Sequence, residues 1–139
     1  MTDSRADEVE ALIQRFPRWA EQRSDVRALA LVGSWAYGAP DMDSDVDVVL
    51  LTDAPGNYIE REDWLKELGG VRLVRTLPWG AITERRFTLP SGLEVEVGVG
   101  TPAWAAVDAL DDGTRKVVSD GFRVLYDPDR LLTRLLAVC

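Results

Sequence analysis

Histidine is absent from this chain of 139 residues, and its single cysteine is Cys139, the last residue. Without histidine, acid–base catalysis through an imidazole and histidine-ligated zinc are both excluded. One cysteine cannot form an internal disulfide, and such a chain suits a reducing, cytoplasmic compartment. Nucleophilic hydrolase chemistry is also disfavoured, because there is no second cysteine and no serine–base–acid set. Any general base must therefore be a carboxylate.

Membrane-spanning segments and extended nucleic-acid surfaces are also disfavoured. No apolar run reaches the length that crosses a bilayer, and the polar, acidic residues 1–8 are not expected to act as a secretion signal. The net charge is −8, whereas an extended nucleic-acid surface needs clustered positive charge. The length favours one domain over residues 1–139, which is long enough to bury a hydrophobic core.

Two aspartates stand at the entrance of a strand that the sequence predicts to be buried. Asp45 and Asp47 flank Val46, and four apolar residues follow. Side chains at i and i+2 of a strand share a face, so the carboxylates are expected side by side, with Val46 and Val48 facing a core. Two adjacent acids repel each other, and burying them is costly. Bound Mg²⁺, which prefers carboxylate oxygens and keeps sites for phosphate, offsets both effects.

A Gly-Ser pair ends an earlier buried strand, which the apolar run at residues 29–32 predicts. Gly33 allows the backbone to approach a ligand closely, and Ser34 is expected to be the N-cap of a short helix directly after it. Free N–H groups at a helix start favour phosphate. The segment therefore predicts a phosphate site beside the metal site of the aspartate pair.

A Gly-Ser turn followed after ten residues by Asp-x-Asp, with a strand at each half, resembles the signature of the DNA polymerase β-type nucleotidyltransferase superfamily. More narrowly, it is similar to the minimal nucleotidyltransferases and to the nucleotidyltransferase domain of aminoglycoside-modifying enzymes. The resemblance implies an α/β (α+β) fold with a single mixed sheet flanked by helices. It also implies that Gly33 and Ser34 hold an NTP, and that Asp45 and Asp47 bind two Mg²⁺ ions.

The resemblance further implies a third carboxylate from a neighbouring strand, which completes a two-metal site and can accept a proton. Glu94 and Glu96 share one face of a strand in the hairpin predicted at residues 81–99. Glu96 lies between two valines, where an unpaired acid is most costly. Glu96 is therefore favoured as the third metal ligand and catalytic group, and Glu94 stays the alternative.

Arg85 and Arg86 lie on the partner strand of that hairpin. In one interpretation an arginine here reaches the triphosphate, because its planar fork suits phosphate. In the other it pairs with Glu94 or Glu96 across the strands. Tyr37 stands where many relatives have an arginine, which leaves open how the phosphates are neutralised.

Two other interpretations of the acidic segment are weaker. A solvated acidic turn explains Asp41 and Asp43, but not Asp47, which is followed by four apolar residues. A calcium loop fits the alternate spacing of the aspartates. Its sixth position, however, is Val46 rather than glycine, and its twelfth is Thr52 rather than glutamate.

The remaining chain is expected to alternate helix and strand around one sheet. The first helix is predicted from about residue 4 to residue 23, with an interruption at Pro17. Further predictions are a helix at 58–68, a strand at 71–77, the hairpin, a short helix from 102, a turn at 111–113, an edge strand at 121–126 and a final helix at 130–138, capped from within 127–129.

The resemblance implies an enzyme that moves an NMP, with AMP favoured, from an NTP to a hydroxyl group and releases pyrophosphate. Two acceptors remain open. One is a protein, as for minimal nucleotidyltransferases that modify a HEPN-type toxin in an antitoxin-like role; the other is a small hydroxyl compound such as an aminoglycoside. The lack of a basic face disfavours nucleic-acid ends. The alternative of a different class is a non-catalytic nucleotide- or partner-binding module that keeps the fold.

Overall fold

The structure is a computed structural model, and it describes residues 4–38, 44–108, 110 and 112–139. Within these residues, six strands form one sheet: β1 (Val26–Val32), β2 (Val46–Thr52), β3 (Arg72–Trp79), β4 (Ile82–Thr88), β5 (Glu94–Gly100) and β6 (Phe122–Tyr126). Their order across the sheet is β3–β4–β5–β2–β1–β6. β2 and β5 pair in parallel, and the other neighbouring strands pair antiparallel.

Helices cover the two faces of the sheet. They are α1 (Ser4–Glu21), α2 (Ser34–Tyr37), α3 (Gly56–Ile59), α4 (Asp63–Glu67), α5 (Asp112–Ser119) and α6 (Leu131–Val138), with a 3₁₀ helix at Pro102–Ala105. One core is buried under α1, and a second under α5, α6 and the 3₁₀ helix. The predicted mixed sheet flanked by helices is confirmed. Among the described helices, none combines the length and apolarity needed to cross a bilayer.

The side chains of β2 alternate between these two cores. Val46, Val48 and Leu50 are buried on the α1 side, and Val49 and Leu51 are buried on the α5–α6 side. Side chains two residues apart share a face, so Asp47 lies on the α5–α6 face next to Val49. A slip of one residue would place Asp47 in the α1 core and expose buried valines. Packing on both faces therefore fixes where this carboxylate points.

The helix α1 runs without a break through Pro17, although the sequence predicted an interruption there. Its buried side chains lie on both sides of the proline and include Leu12, Phe16 and Trp19. Packing of this face against the sheet outweighs the one backbone hydrogen bond that proline removes.

The predicted helix at 58–68 is instead two short helices, α3 and α4, with a break around Arg61. The carbonyl of Arg61 accepts hydrogen bonds from Trp64 Nε1, at 3.0 Å, and from the Arg85 guanidinium, which also binds the carbonyl of Ile59. The Arg85 guanidinium comes from β4 and binds carbonyls that a continuous helix would use within itself. This contact is tertiary and has no local sequence signal, whereas the bond from Trp64 to Arg61 is local.

The end of the chain follows its prediction more closely. The hairpin of β4 with β5 and the edge strand β6 are confirmed. Asp127 accepts hydrogen bonds from the N–H groups of Leu132 and Thr133 at the start of α6, as expected for a cap. The turn predicted at 111–113 is wrong at Asp112 and Gly113, which lie in the first turn of α5, while Asp111 lies outside the described residues.

Candidate active site

The turn after β1 brings the backbone of Gly33 against Asp47. Gly33 has a φ of 75°, and a Cβ atom there would lie 2.6 Å from Asp47 Oδ2, so this turn needs glycine. Gly33 is itself the N-cap of α2, and its carbonyl accepts hydrogen bonds from the N–H groups of Ala36 and Tyr37. Because Gly33 is the N-cap, α2 starts at Ser34, one residue before the predicted start at Trp35. Ser34 is therefore its first residue, and the prediction that Ser34 is the N-cap is wrong.

Trp35 connects this turn with the start of β2. Its indole Nε1 donates a hydrogen bond to the carbonyl of Ser44 at 3.1 Å, and its ring packs against the α1 core. Because Ser44 directly precedes Asp45, this bond holds α2 close to the aspartate pair. Residues 39–43, with Asp41 and Asp43, lie outside the described residues.

Strand register places the acids of β2 and β5 side by side. Asp47 is the partner of Glu96 in the parallel pair, and Val46 is the partner of Val95. Asp47 is also the partner of Val32, the last residue of β1. Three adjacent strands thus bring the Gly33 turn, Asp47 and Glu96 together. The other candidate, Glu94, lies on the same face of β5 as Glu96 but toward Asp45.

Arg86 on β4 contacts two acids of the neighbouring strand β5 and reaches across β5 to Asp45, which directly precedes β2. Its Nη1 lies 2.7 Å from Asp45 Oδ2 and 3.0 Å from Glu94 Oε1, and its Nη2 lies 3.1 Å from Glu96 Oε1. The structure therefore shows the cross-strand ion pairing that the sequence left open. Arg85, the preceding residue, points to the opposite face, where it is buried and binds carbonyls near α3.

Glu84, Arg75 and Trp79 lie next to the ion pairs of Arg86. The sequence analysis did not identify these three residues as part of the site. Glu84 is buried, and its Oε1 lies 3.1 Å from Arg75 Nη2 and 3.8 Å from Arg86 Nη2. Trp79 Nε1 donates to Glu84 Oε2 at 2.8 Å. Arg75 also lies 3.7 Å from Glu96. The signal that could have identified Glu84 is the alternation of β4, since Glu84 and Arg86 are two residues apart and share a face.

The cluster carries more negative than positive charge. We call it the acid cluster, and it consists of the carboxylates Asp45, Asp47, Glu84, Glu94 and Glu96. Two guanidinium groups, of Arg75 and Arg86, contact it. The described acid cluster is therefore suited to additional cations and unsuited to an unaccompanied anion.

The pKa of Asp47 is raised to about 6, chiefly because burial disfavours its charged form. Asp45 and Glu84 raise this pKa further, and Arg86 opposes them. Asp47 Oδ1 is buried and, among the described residues, has no hydrogen-bond partner. A buried, unpartnered carboxylate oxygen is a group that a cation would stabilise.

The donor set fits a metal ion that arrives with its own phosphate ligands. In the described residues, no three acidic or cysteine side chains converge closely enough to hold a metal ion by themselves. Mg²⁺, however, is commonly bound by one or two carboxylates together with substrate phosphate oxygens. Asp47, with its unpartnered oxygen, and the adjacent Asp45 and Glu96 fit that pattern.

A cavity of about 690 Å³ extends from the acid cluster along the α5–α6 face of the sheet. Its size lies within the range typical of small-molecule sites. Asp47, Glu96 and Gly33 contribute to its lining, together with the aromatic and aliphatic side chains Trp79, Ile82, Trp104 and Val117. Gly98 also lines the cavity. It has no room for a side chain, because a Cβ atom there would lie 2.9 Å from Ile82 Cγ2.

Replacing Gly33 by alanine should destabilise the fold and displace Asp47. With a φ of 75° and a ψ of −158°, Gly33 lies in a backbone region that is essentially restricted to glycine and costs an alanine about 1–3 kcal/mol, and the contact with Asp47 Oδ2 adds to this cost. Gly38→Ala is the control for a positive φ without the contact, since Gly38 has a φ of 82° in the left-handed region and, among the described residues, no atom within 4 Å of its Cβ position. Chemical denaturation should show a larger loss for Gly33→Ala than for Gly38→Ala. Equal losses would mean that neither the contact with Asp47 nor the more restricted backbone conformation of Gly33 adds to the cost.

Asp47→Asn should stabilise the metal-free protein at neutral pH. The folded pKa of about 6 lies above the ordinary value of about 4, so folding favours the protonated carboxyl. The stability that the protonated form provides is full below about pH 4 and is lost as the pH rises through about 6. With EDTA present, the variant should gain up to about 3 kcal/mol over wild type at pH 8 and nothing at pH 4.

Asp45→Asn is the control for this measurement. It removes the closest ion-pair partner of Arg86 and should give no comparable gain at pH 8. If Asp47→Asn were the less stable protein at pH 8, attraction to Arg86 would outweigh the cost of burying Asp47.

Three solved structures illustrate the shared fold. The polymerase core of TRAMP, an RNA surveillance complex, is similar at a TM-score of 0.54 and 17% identity, over 70% of this chain and 32% of that one. The Cid1 poly(U) polymerase gives 0.52 and 18%, over 71% and 31%. A cytoplasmic RNA terminal U-transferase gives 0.52 and 20%, over 70% and 32%. This chain therefore spans about a third of the length of these proteins, and at these identities the likeness shows the fold alone.

No curated protein matches the chain. Residues 13–88, more than half of it, match the family described as nucleotidyltransferase domain. The matched part contains Gly33, Asp45, Asp47 and Arg86, and it ends before Glu94 and Glu96. The fold and this match together confirm the resemblance to the DNA polymerase β-type superfamily, and the chain belongs to the family of nucleotidyltransferase domains.

Proposed function

We propose that this chain transfers a nucleoside monophosphate from a metal-bound NTP to a hydroxyl acceptor and releases pyrophosphate. The observation that carries the proposal is the convergence of the Gly33 turn, Asp47 and Glu96 on three adjacent strands at one cavity. Membership of the family supports the reaction class. The reaction needs a phosphate-binding turn beside carboxylates, and the position of the Gly33 turn beside Asp47 and Glu96 supports assigning it that role.

The chain's own residues have separate roles in this proposal. The backbone at Gly33 and Ser34 contacts the triphosphate, with Gly33 allowing the close approach. Asp45, Asp47 and Glu96 would hold two Mg²⁺ ions, which would neutralise phosphate charge and lower the pKa of the attacking hydroxyl. Holding the hydroxyl in line with the α-phosphorus supplies much of the rate enhancement.

The bonds balance as in any nucleotidyl transfer. The acceptor oxygen bonds to the α-phosphorus, and the bond from that phosphorus to the oxygen bridging the α- and β-phosphates breaks. Pyrophosphate leaves with the electron pair of the broken bond. The hydroxyl proton passes to a carboxylate, since the chain has no histidine. Glu96 is the proposed acceptor of this proton, because it lies beside Asp47 and lines the cavity.

The charge balance supports a metal requirement. A free triphosphate carries several negative charges and would approach a cluster of five carboxylates that two guanidinium groups contact. Like charges at this separation repel strongly in a partly buried site. Asp45, Asp47 and Glu96 would hold divalent cations, whose positive charge would offset that repulsion.

We favour ATP as donor and a protein or small-molecule hydroxyl as acceptor, in the cytoplasm. The structures with a similar fold include a poly(U) polymerase and an RNA terminal U-transferase. Here the net charge is −8 and the cavity lining includes Asp47, Glu84, Glu96 and Asp120, a surface that repels a phosphate backbone. A HEPN-type protein partner and an aminoglycoside-like compound both remain compatible with these features.

A non-catalytic binding module is the second candidate. Arg86 contacts Asp45 and Glu96, two of the three acids proposed to hold metal. If Arg86 keeps these contacts when nucleotide is present, the acids cannot bind metal. The protein would then bind partners or nucleotide without transferring a group. Metal binding and transfer therefore separate the two candidates.

Asp45→Asn and Asp47→Asn should each abolish transfer from an α-³²P-labelled NTP while leaving the fold intact. Each substitution removes a metal-binding charge without changing side-chain size. Transfer is measured by incorporation of the label into a panel of protein and small-molecule hydroxyl acceptors, with circular dichroism as the folding control. Wild-type activity in Asp47→Asn would refute the mechanism.

Glu96→Gln should lower the transfer rate by several orders of magnitude with a smaller effect on nucleotide binding, because its role falls mostly in the transition state. Glu94→Gln is the matched control two residues away on the same face, and it should cost little in rate. Single-turnover kinetics and calorimetry with a non-hydrolysable NTP measure the two quantities. The reverse ranking would make Glu94 the third carboxylate.

A further inference from the structure

We propose that Arg86 is a resident counter-ion of the free protein, and that metal–nucleotide binding displaces its guanidinium from Asp45 while Glu94 retains it. Free protein then binds divalent metal weakly, and metal and nucleotide bind together. This inference rests on the proposed function, because it concerns the same metal-binding acids.

The first support is that Arg86 contacts the carboxylate oxygens that a metal would use. Its closest contact, at 2.7 Å, is Asp45 Oδ2, and its other Nη atom lies 3.1 Å from Glu96 Oε1. Its side chain is 16% exposed, so water screens these ion pairs only partly. A cation bound to the same oxygens would lie close to the guanidinium and be repelled by it.

The second support is that Arg86 can keep its ion pair with Glu94 after it leaves Asp45. Glu94 Oε1 lies 3.0 Å from the same Nη1 atom that contacts Asp45. Glu94 does not contribute to the described lining of the cavity, and its side chain is 36% exposed. A small rotation of Arg86 toward Glu94 therefore releases Asp45 without leaving a buried guanidinium unpaired, which would be costly.

The third support is the contrast with Arg75. Arg75 contacts Glu84 at 3.1 Å and Glu96 at 3.7 Å, but the described contacts join it to neither aspartate. Its side chain is 49% exposed. Arg75 thus contributes a similar charge to the acid cluster without occupying Asp45, which makes it the matched control for Arg86.

This arrangement assigns different roles to the two glutamates. Glu96 belongs to the metal-binding set, whereas Glu94 is a positioning residue that acts through Arg86. Removing Arg86 should strengthen metal binding by the free protein. Removing the charge of Glu94 should weaken it, because Arg86 then has fewer partners other than Asp45.

The test is a titration of the free protein with Mn²⁺, followed by electron paramagnetic resonance and calorimetry, without nucleotide. Wild type is compared with Arg86→Met, Glu94→Gln and the double variant, and Arg75→Met is the charge control. Each protein is then titrated in the presence of a non-hydrolysable NTP. Thermal unfolding with EDTA and with Mn²⁺ reports folding and the metal-linked gain in stability.

We expect Arg86→Met to bind Mn²⁺ at least about tenfold more tightly than wild type without nucleotide. Arg75→Met should change the affinity by less than about threefold, because its charge is more exposed. Glu94→Gln should weaken binding a few-fold in the wild-type background and have no effect beside Arg86→Met, a non-additivity that a double-mutant cycle detects. The gain in affinity on adding nucleotide should be largest for wild type.

Equal or weaker Mn²⁺ binding by folded Arg86→Met would overturn the inference, and so would an equal gain in Arg75→Met. If Arg86→Met does not fold, Glu94→Gln decides: tighter binding or no change in that variant refutes the role of Arg86. Those results would leave the proposed function standing, provided that wild type binds Mn²⁺ with nucleotide. Absence of Mn²⁺ binding to wild type even with nucleotide would instead refute the proposed function.

Discussion

The parallel pairing of β2 with β5 is the interaction on which the candidate site depends. It joins Asp47 to Glu96, although 48 residues separate them along the chain. The antiparallel pairing of β1 with β2 adds the Gly33 turn on the other side of Asp47. The valines and leucines between these polar residues are buried on both faces, so a register shift would expose apolar area and bury charge. Packing of the two hydrophobic cores therefore fixes the strand register, and the register fixes the positions of Asp47 and Glu96.

Electrostatics make this corner of the sheet a local source of instability. Asp47 is partly buried, its pKa is raised to about 6, and Asp45 and Glu84 lie near enough to raise it further. Proteins retain such groups where a ligand compensates them, and the rest of the fold provides the stability. Here that stability comes from two cores, with Trp64, Phe16 and Phe87 fully buried in the larger one. The arginines reduce the repulsion without removing it.

The parts of the site that were predictable from sequence are those that depend on local periodicity. The apolar runs beside Gly33 and Asp47 predicted two buried strands, and the Pro-Ser-Gly turn predicted the hairpin that carries Glu96. The contact between Asp45 and Arg86, 41 residues apart, was not predictable, because it depends on the order of strands across the sheet. The contact of Arg85 with the carbonyl of Arg61, at the break between α3 and α4, was not predictable either, because it joins residues that are distant along the chain.

Two adjacent arginines on β4 have different roles because successive side chains of a strand point to opposite faces of the sheet. Arg85 and Arg86 have the same side chain, but one binds backbone carbonyls in the α1 half of the protein and the other binds three carboxylates on the opposite face. In an antiparallel pair, partners share a face, and Arg86 is the partner of Glu96 whereas Arg85 is the partner of Val97. Once the hairpin register is known, only Arg86 can reach the acids. The register of one hairpin therefore separates a structural arginine from one that can take part in metal binding.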